Sequence, residues 1–326
     1  MLARVFARRI HSTTVTSNVG GSFAEVAKDL SERLYRSHLN AEQRRLVYRK
    51  RGEKVLQTSR KTFTDKEGNE LEPRQWPGIP SSSALTNCIA RMESHEDFET
   101  VKKFMKDFVQ HYPSHIRQVH FIRLIRQATT LGLFNEAYVF VKSGRFDAFL
   151  NNEKKVNPLE FQREVLRSHV ARLTAFMAEA TPSTKNYTRL NRLQELSEPL
   201  DNTSLDVSLL KLSGLVTLGH SSASKQLEHT IKIIDNTNAE EYVKSVPKSL
   251  VVPLMMDFQM GLQALKSDAS ADGAIAKVEG IIKGLEDRFP TATDRAQKLL
   301  AALRNGAQEE SQRLQNDAKD SDAEQS

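Results

Sequence analysis

The chain has a single cysteine, Cys88, in 326 residues. One thiol excludes an internal disulfide and any zinc site built on several thiolates. There is one tryptophan, Trp76, and there are only 14 glycines and 10 prolines, so the chain is neither collagen-like nor of low complexity. Long apolar runs are also missing. The longest, Leu250–Leu262, is interrupted by Pro253 and Asp257. A bilayer-spanning helix needs about 20 apolar residues, so no transmembrane span is expected. No glycine-rich phosphate loop is present, because Gly20-Gly21 lies near the N-terminus and Gly214 and Gly219 lack a lysine at the required spacing.

Catalytic and metal-binding constellations are absent as well. His111 and His115 are four apart with Pro113 between them, which argues against a metal pair. His169 reads as a surface residue on the polar side of its helix, and Cys88 as a buried structural thiol. Glu240/Glu241 and Glu309/Glu310 read as exposed pairs on helix or tail. No cofactor, no metal and no small-molecule substrate is expected, and nothing marks the chain as an enzyme.

What the sequence does have is unevenly placed charge. The formal net charge is +6. Between Arg33 and Lys61 stand ten basic residues: Arg33, Arg36, Arg44, Arg45, Arg49, Lys50, Arg51, Lys54, Arg60 and Lys61. Only Glu42 and Glu53 oppose them. The other end is reversed, with two basic and six acidic residues from Asn305 to Ser326. A basic block at one end points to a polyanionic partner.

Residues 1–20, MLARVFARRIHSTTVTSNVG, carry three arginines and several hydroxyl side chains, and no acid precedes Glu25. On a helix, Leu2, Val5, Phe6 and Ile10 share one side. That is the pattern of a mitochondrial transit peptide, and Arg9-Ile10-His11-Ser12 resembles a matrix-processing site. The expected location is the mitochondrial matrix.

Residues 21–61 read as a basic helical arm. Ser22 and Glu25 can form a capping box for a first helix, and Asn40 can cap a second from Ala41, AEQRRLVYRKRGEKVLQTSR. That helix has few apolar residues, Leu46, Val47, Val55 and Leu56, and its basic side chains cover most of its circumference. Such a surface gains little from packing but much from phosphates, and Tyr35 and Tyr48 can stack on exposed bases. The alternative is a solvated basic face.

Residues 62–83 contain Pro73, Pro77, Pro80, Gly68 and Gly78 and read as a connector. Its Trp76 is expected to anchor either on the helical body or on a partner. Residues 84–305 carry helical periodicity almost throughout. Phe98, Val101, Phe104, Met105 and Phe108 form one stripe. Phe161, Val165, Leu166, Val170, Leu173 and Phe176/Met177 form the core face of a longer helix opened by Pro158. Gly132 breaks a helix. Residues 306–326 read as an acidic tail with too little apolar surface to order. The expected fold is all-α: an irregular helical-repeat-like body, α-solenoid or bundle, behind a basic helical N-terminal arm. LGLFNEAYVFVKSGRFD resembles half of a tetratricopeptide-type repeat, but no second copy aligns with it.

Taken together, MLARVFARRIHS, the basic helices, QWPGIPSSSALTNCIARM and NEAYVFVKSGRFD resemble a fungal mitochondrial ribosomal protein of the small subunit, one of the fungus-specific helical components. The resemblance covers about the first half of the chain. It implies a noncatalytic role, with ribosomal RNA and mitochondrial ribosomal proteins as partners. The alternatives are a non-ribosomal mitochondrial RNA-binding factor, such as a translational activator, and a protein-only helical assembly factor.

Overall fold

The structure, a computed structural model, describes residues 21–59, 61–150, 158–176 and 185–323. The segment read as a transit peptide, together with Arg60 and Met177, lies outside these residues. Among the described residues the fold is all-α, apart from one isolated antiparallel bridge between Thr64 and Glu70. The chain divides into two compact units, Met1–Cys88 and Ile89–Ser326.

In the first unit, Ser22 and Glu25 form the expected capping box, which starts α1, Phe23–His38. Asn40 and Gln43 form another, which starts α2, Ala41–Tyr48. The single long helix expected from Ala41 is in fact two. Arg49 takes an extended backbone, and α3, Lys50–Thr58, restarts beyond it. Gly52 allows the break: a Cβ there would overlap the carbonyl oxygens of Arg45 and Leu46, so only glycine lets α3 turn this closely onto α2.

The turn gathers Leu39, Val47 and Leu71 into a small core, flanked by Tyr35, Leu46, Tyr48, Leu56 and Phe63. Leu71 and Phe63 come from the stretch read as a connector. That stretch folds back on the arm. The Leu71 amide donates to the Phe63 carbonyl at 2.7 Å, and the Arg74 amide donates to the Val47 carbonyl at 2.9 Å. The Gln43 side chain donates to the Thr64 carbonyl at 2.9 Å. α4, Ser82–Ala90, follows, with Leu85 and Cys88 fully buried.

The second unit begins with α5, His95–His111, whose Phe98, Val101, Phe104, Met105 and Phe108 are buried as the spacing predicts. Then come α6 (Gln118–Thr130), α7 (Phe134–Val141), α8 (Asp147–Leu150), α9 (Pro158–Phe176) and α10 (Lys185–Ser197). After these run α11 (Leu205–Thr217), α12 (Ala223–Asn236), α13 (Ala239–Ser245), α14 (Val251–Leu265), α15 (Asp272–Arg288) and α16 (Ala292–Ala323). Helix α9 packs against α6, α10, α11 and α16, while α11 packs against α12 and α14. The last helix returns to α6, α9 and α14. In an open stack of repeats each unit touches only its neighbours; this return joins the end of the unit to its beginning.

The stretch from 306, expected to lack structure, continues as helix to Ala323. Two features absent from its bulk composition hold its first turns. Gly306 lets α16 approach α6 so closely that a Cβ would overlap the carbonyl oxygens of Thr129 and Thr130. Opposite it, Gly132 turns the chain with φ of 66°. Ala307 is fully buried, and the buried Glu310 accepts from Arg172 at 2.6 Å and from Asn135 at 2.9 Å. Glu310 is therefore not an exposed tail acid: its charge is needed to pair a buried arginine.

Candidate nucleic-acid interface

The break at Arg49 spreads the arm's cations over two short helices. Arg44 and Arg45 stand on α2, Arg49 at the break, and Lys50, Arg51 and Lys54 on α3; all six are exposed, as is Lys61. None of the seven has a carboxylate within ion-pair distance among the described residues. An unpaired cation at a surface keeps its charge available to a polyanion. Arg44 is partly oriented from within, since its Nε donates to the Leu39 carbonyl at 2.8 Å.

Two of the ten sequence candidates are engaged inside the unit. Arg33 makes a two-pronged contact with Asp29, at 2.8 and 2.9 Å. The Arg36 guanidinium lies 3.9 Å from the centre of the Trp76 ring. Arg60 is outside the described residues.

Trp76 is the residue whose place the sequence left open. It lies on the arm itself, with the edge of its ring against Tyr48 at 5.5 Å and an interplanar angle of 81°. Half of its surface, 50%, stays exposed. Around it is a pocket of about 390 Å³ lined by Arg36, Arg44, Arg45, Arg49, Tyr48 and Ala41. Four guanidinium groups beside an exposed indole offer both of the contacts that unpaired nucleotides use: charge for the phosphate and a flat face for the base. A second stack lies nearby in sequence, with Arg74 over the Tyr35 ring at 4.4 Å. Burial, and then the Asp65 carboxylate, push the Tyr35 phenol above its ordinary value, so it stays neutral. The only signal of this arrangement in the sequence is the adjacency Tyr35-Arg36 and Tyr48-Arg49, together with the lone tryptophan in a segment able to fold back.

The second unit also holds charges in the opposite situation, buried and paired. Helix α9 is buried on nearly all sides, including Glu164, Arg167, His169 and Arg172. Arg126 holds Glu164 with contacts of 2.7 and 2.6 Å. Arg167 bridges Glu164 at 2.6 Å and Asp257 at 2.5 and 2.6 Å. Burial raises the Asp257 carboxyl to about 7 against the pull of Arg167. For Glu164 the attraction of Arg126 and Arg167 outweighs burial, and the carboxyl is lowered. Sequence reading missed this network, although Asp257 is the only charge in the apolar stretch of α14.

His169 is buried, not on the surface as expected, because the polar side of α9 faces other helices. Its Nε2 lies 3.3 Å from the Arg189 carbonyl. Burial, reinforced by Arg172, pushes the imidazole down to about 3. Of the other histidines, His111 ends α5 and His115 lies in the short turn after it. One exposed group in this unit has metal-ligand types within reach of one another, His95, Glu99 and Glu136. Its members are already occupied: His95 pairs with Glu136 at 3.0 Å, and Lys102 with Glu99 at 2.5 Å.

Comparison with known proteins reaches the N-terminal part of the chain. No curated protein matches the chain. Residues 3–91 match the family model described as the MRP13-like N-terminal domain, which spans the arm, the folded-back segment and α4. That match indicates, for the N-terminal part of the chain, a mitochondrial ribosomal protein family of the small subunit.

Proposed function

We propose that this protein is a noncatalytic structural component of the fungal mitochondrial small ribosomal subunit, working in the matrix. Its N-terminal unit holds ribosomal RNA, and its helical body meets neighbouring ribosomal proteins. One observation carries the reading: the residues that match the mitochondrial ribosomal domain are the same ones that present six exposed cations and a half-exposed Trp76 on one small fold. Arg44, Arg45, Arg49, Lys50, Arg51 and Lys54 supply the phosphate contacts, with Lys61 as a further exposed cation and Arg60 a candidate by sequence alone. Arg33 and Arg36 act mainly by holding the α1 surface and the indole in place. Residues 1–20 direct import.

Sedimentation of mitochondrial extracts tests this. The expected result is co-migration with the small-subunit peak that survives a high-salt wash, because many phosphate contacts and protein neighbours act together. Release at moderate salt, with RNA still bound, would identify a loosely held transcript-binding factor instead.

A further inference from the structure

A second cleft, of about 850 Å³, lies wholly within the second unit, between α6, α9, the start of α14 and α16. Its floor is the ionic network of α9, where Arg126 and Arg167 are spent on Glu164 and Asp257. Arg163 is likewise spent on Asp206, at 3.4 Å. The rim is different. Arg123, Lys248, Arg295 and Lys298 line the cleft, are exposed, and have no carboxylate within ion-pair distance among the described residues. Of the acidic groups lining it, only Glu160 is left to oppose them. Between rim and floor stand aliphatic side chains: Val119, Ile122, Val252, Leu254 and Leu299. Val119 is 39% exposed although the opposite side of its helix, with Phe121, Leu124 and Ile125, is packed into the core.

We infer that this cleft is a docking groove for an acidic, amphipathic segment of a neighbouring protein. Four unpaired cations around an aliphatic strip match a segment with carboxylates on its flanks and aliphatic residues along its centre. Such rim charges select the partner's sign and speed its encounter, while the apolar strip holds it. RNA fits less well. Among the described residues no aromatic side chain lines the cleft, so it offers no stacking face for a base, unlike the pocket around Trp76. The groove is confined to the second unit, and its occupancy does not depend on what the arm binds.

The test uses the purified full chain and three fluorescent probes. These are an amphipathic Leu/Glu helical peptide, a peptide of the same composition with its order scrambled, and a uridine oligonucleotide. The amphipathic peptide should bind at least about tenfold more tightly than the scrambled one, a difference of about 1.4 kcal/mol. The combined variant Arg123→Glu, Lys248→Glu, Arg295→Glu, Lys298→Glu should lose that binding while melting like the parent, since all four side chains are exposed. The variant Arg44→Gln, Arg45→Gln, Arg49→Gln should keep peptide binding and lose oligonucleotide binding. In mitochondria, a photo-crosslinker at Val119 should then capture a protein segment richer in Asp and Glu than in Lys and Arg. The inference is overturned by equal affinity for both peptides, by peptide binding that survives the charge reversal, or by a crosslink to RNA or to a basic segment.

Discussion

Arg49 and Arg167 are the same residue type in opposite situations. In the first unit, Arg44, Arg45, Arg49, Lys50, Arg51 and Lys54 stand exposed, with no carboxylate in ion-pair range among the described residues, and the small core of Leu39, Val47 and Leu71 leaves them outside. In the second unit, Arg167 and Arg172 of α9 lie inside the bundle, and each is matched to a carboxylate. A surface cation contributes little to stability and much to long-range attraction. A buried one contributes nothing to attraction, and leaving it unpaired is costly. What separates these two sets of cations is where the charges are neutralised, and not how many there are.

The comparison breaks most visibly at the C-terminal helix. Truncation after Asn305 removes Gly306, Ala307 and Glu310, and with Glu310 the carboxylate that neutralises Arg172 inside the bundle. Loss of one member of a buried pair costs about 3–5 kcal/mol, and the missing packing of α16 adds to it. Chemical denaturation should show a large drop in stability; an unchanged midpoint would mean that the tail is dispensable. Asp257→Asn should come next. It leaves the Arg167 fork half satisfied, for a loss of about 3 kcal/mol, whereas a change of similar size at Arg51 should stay within about 0.5 kcal/mol.

A smaller effect is read from pH. His169 has a folded value near 3, against 6.5 ordinarily. Its folded value is depressed, so below pH 6.5 the unfolded chain takes up a proton that the folded one refuses. The stability contributed by neutral His169 is present above 6.5 and is lost progressively as pH falls toward 3. His169→Gln should remove about one proton from the uptake on unfolding near pH 5, measured as a shallower fall of stability with acid. An unchanged slope would place the imidazole in water.

How much of this was legible depends on what each residue's role requires. The stripe of α5, Phe98 to Phe108, is set by local spacing, and the sequence shows it. The capping box at Ser22 and the N-cap at Asn40 need only residues close in sequence, so they too are visible in advance. The break at Arg49 is different, because it rests on Gly52 meeting a backbone oxygen of the preceding helix, and a lone glycine among basic residues does not announce that approach. Trp76 meets Tyr48 and Arg36 only after the proline-rich segment folds back. Glu310 and Arg172 are 138 positions apart, so the acid-rich composition of the C-terminus concealed a paired and buried group. Long-range pairing of charges was the illegible part, while periodicity and exposed charge were readable.

Stacking sharpens the picture of the arm. Trp76→Ala should weaken binding of a single-stranded RNA by about 1–3 kcal/mol, the usual worth of one base stacked on an aromatic side chain. Trp76→Phe should recover part of it. Equal loss in both variants would assign Trp76 to holding Tyr48 and Arg36 in place.

The central claim is that the exposed cations of the first unit meet phosphates. The direct measurement is the salt dependence of RNA association for the full chain and for the variant with Arg44, Arg45, Arg49, Lys50, Arg51 and Lys54 all changed to Gln. The log–log slope should flatten by about 0.7 to 0.9 for each phosphate that is no longer neutralised, with the melting temperature nearly unchanged. An unchanged slope in the variant would contradict the claim and leave the arm a solvated face on a protein-only scaffold.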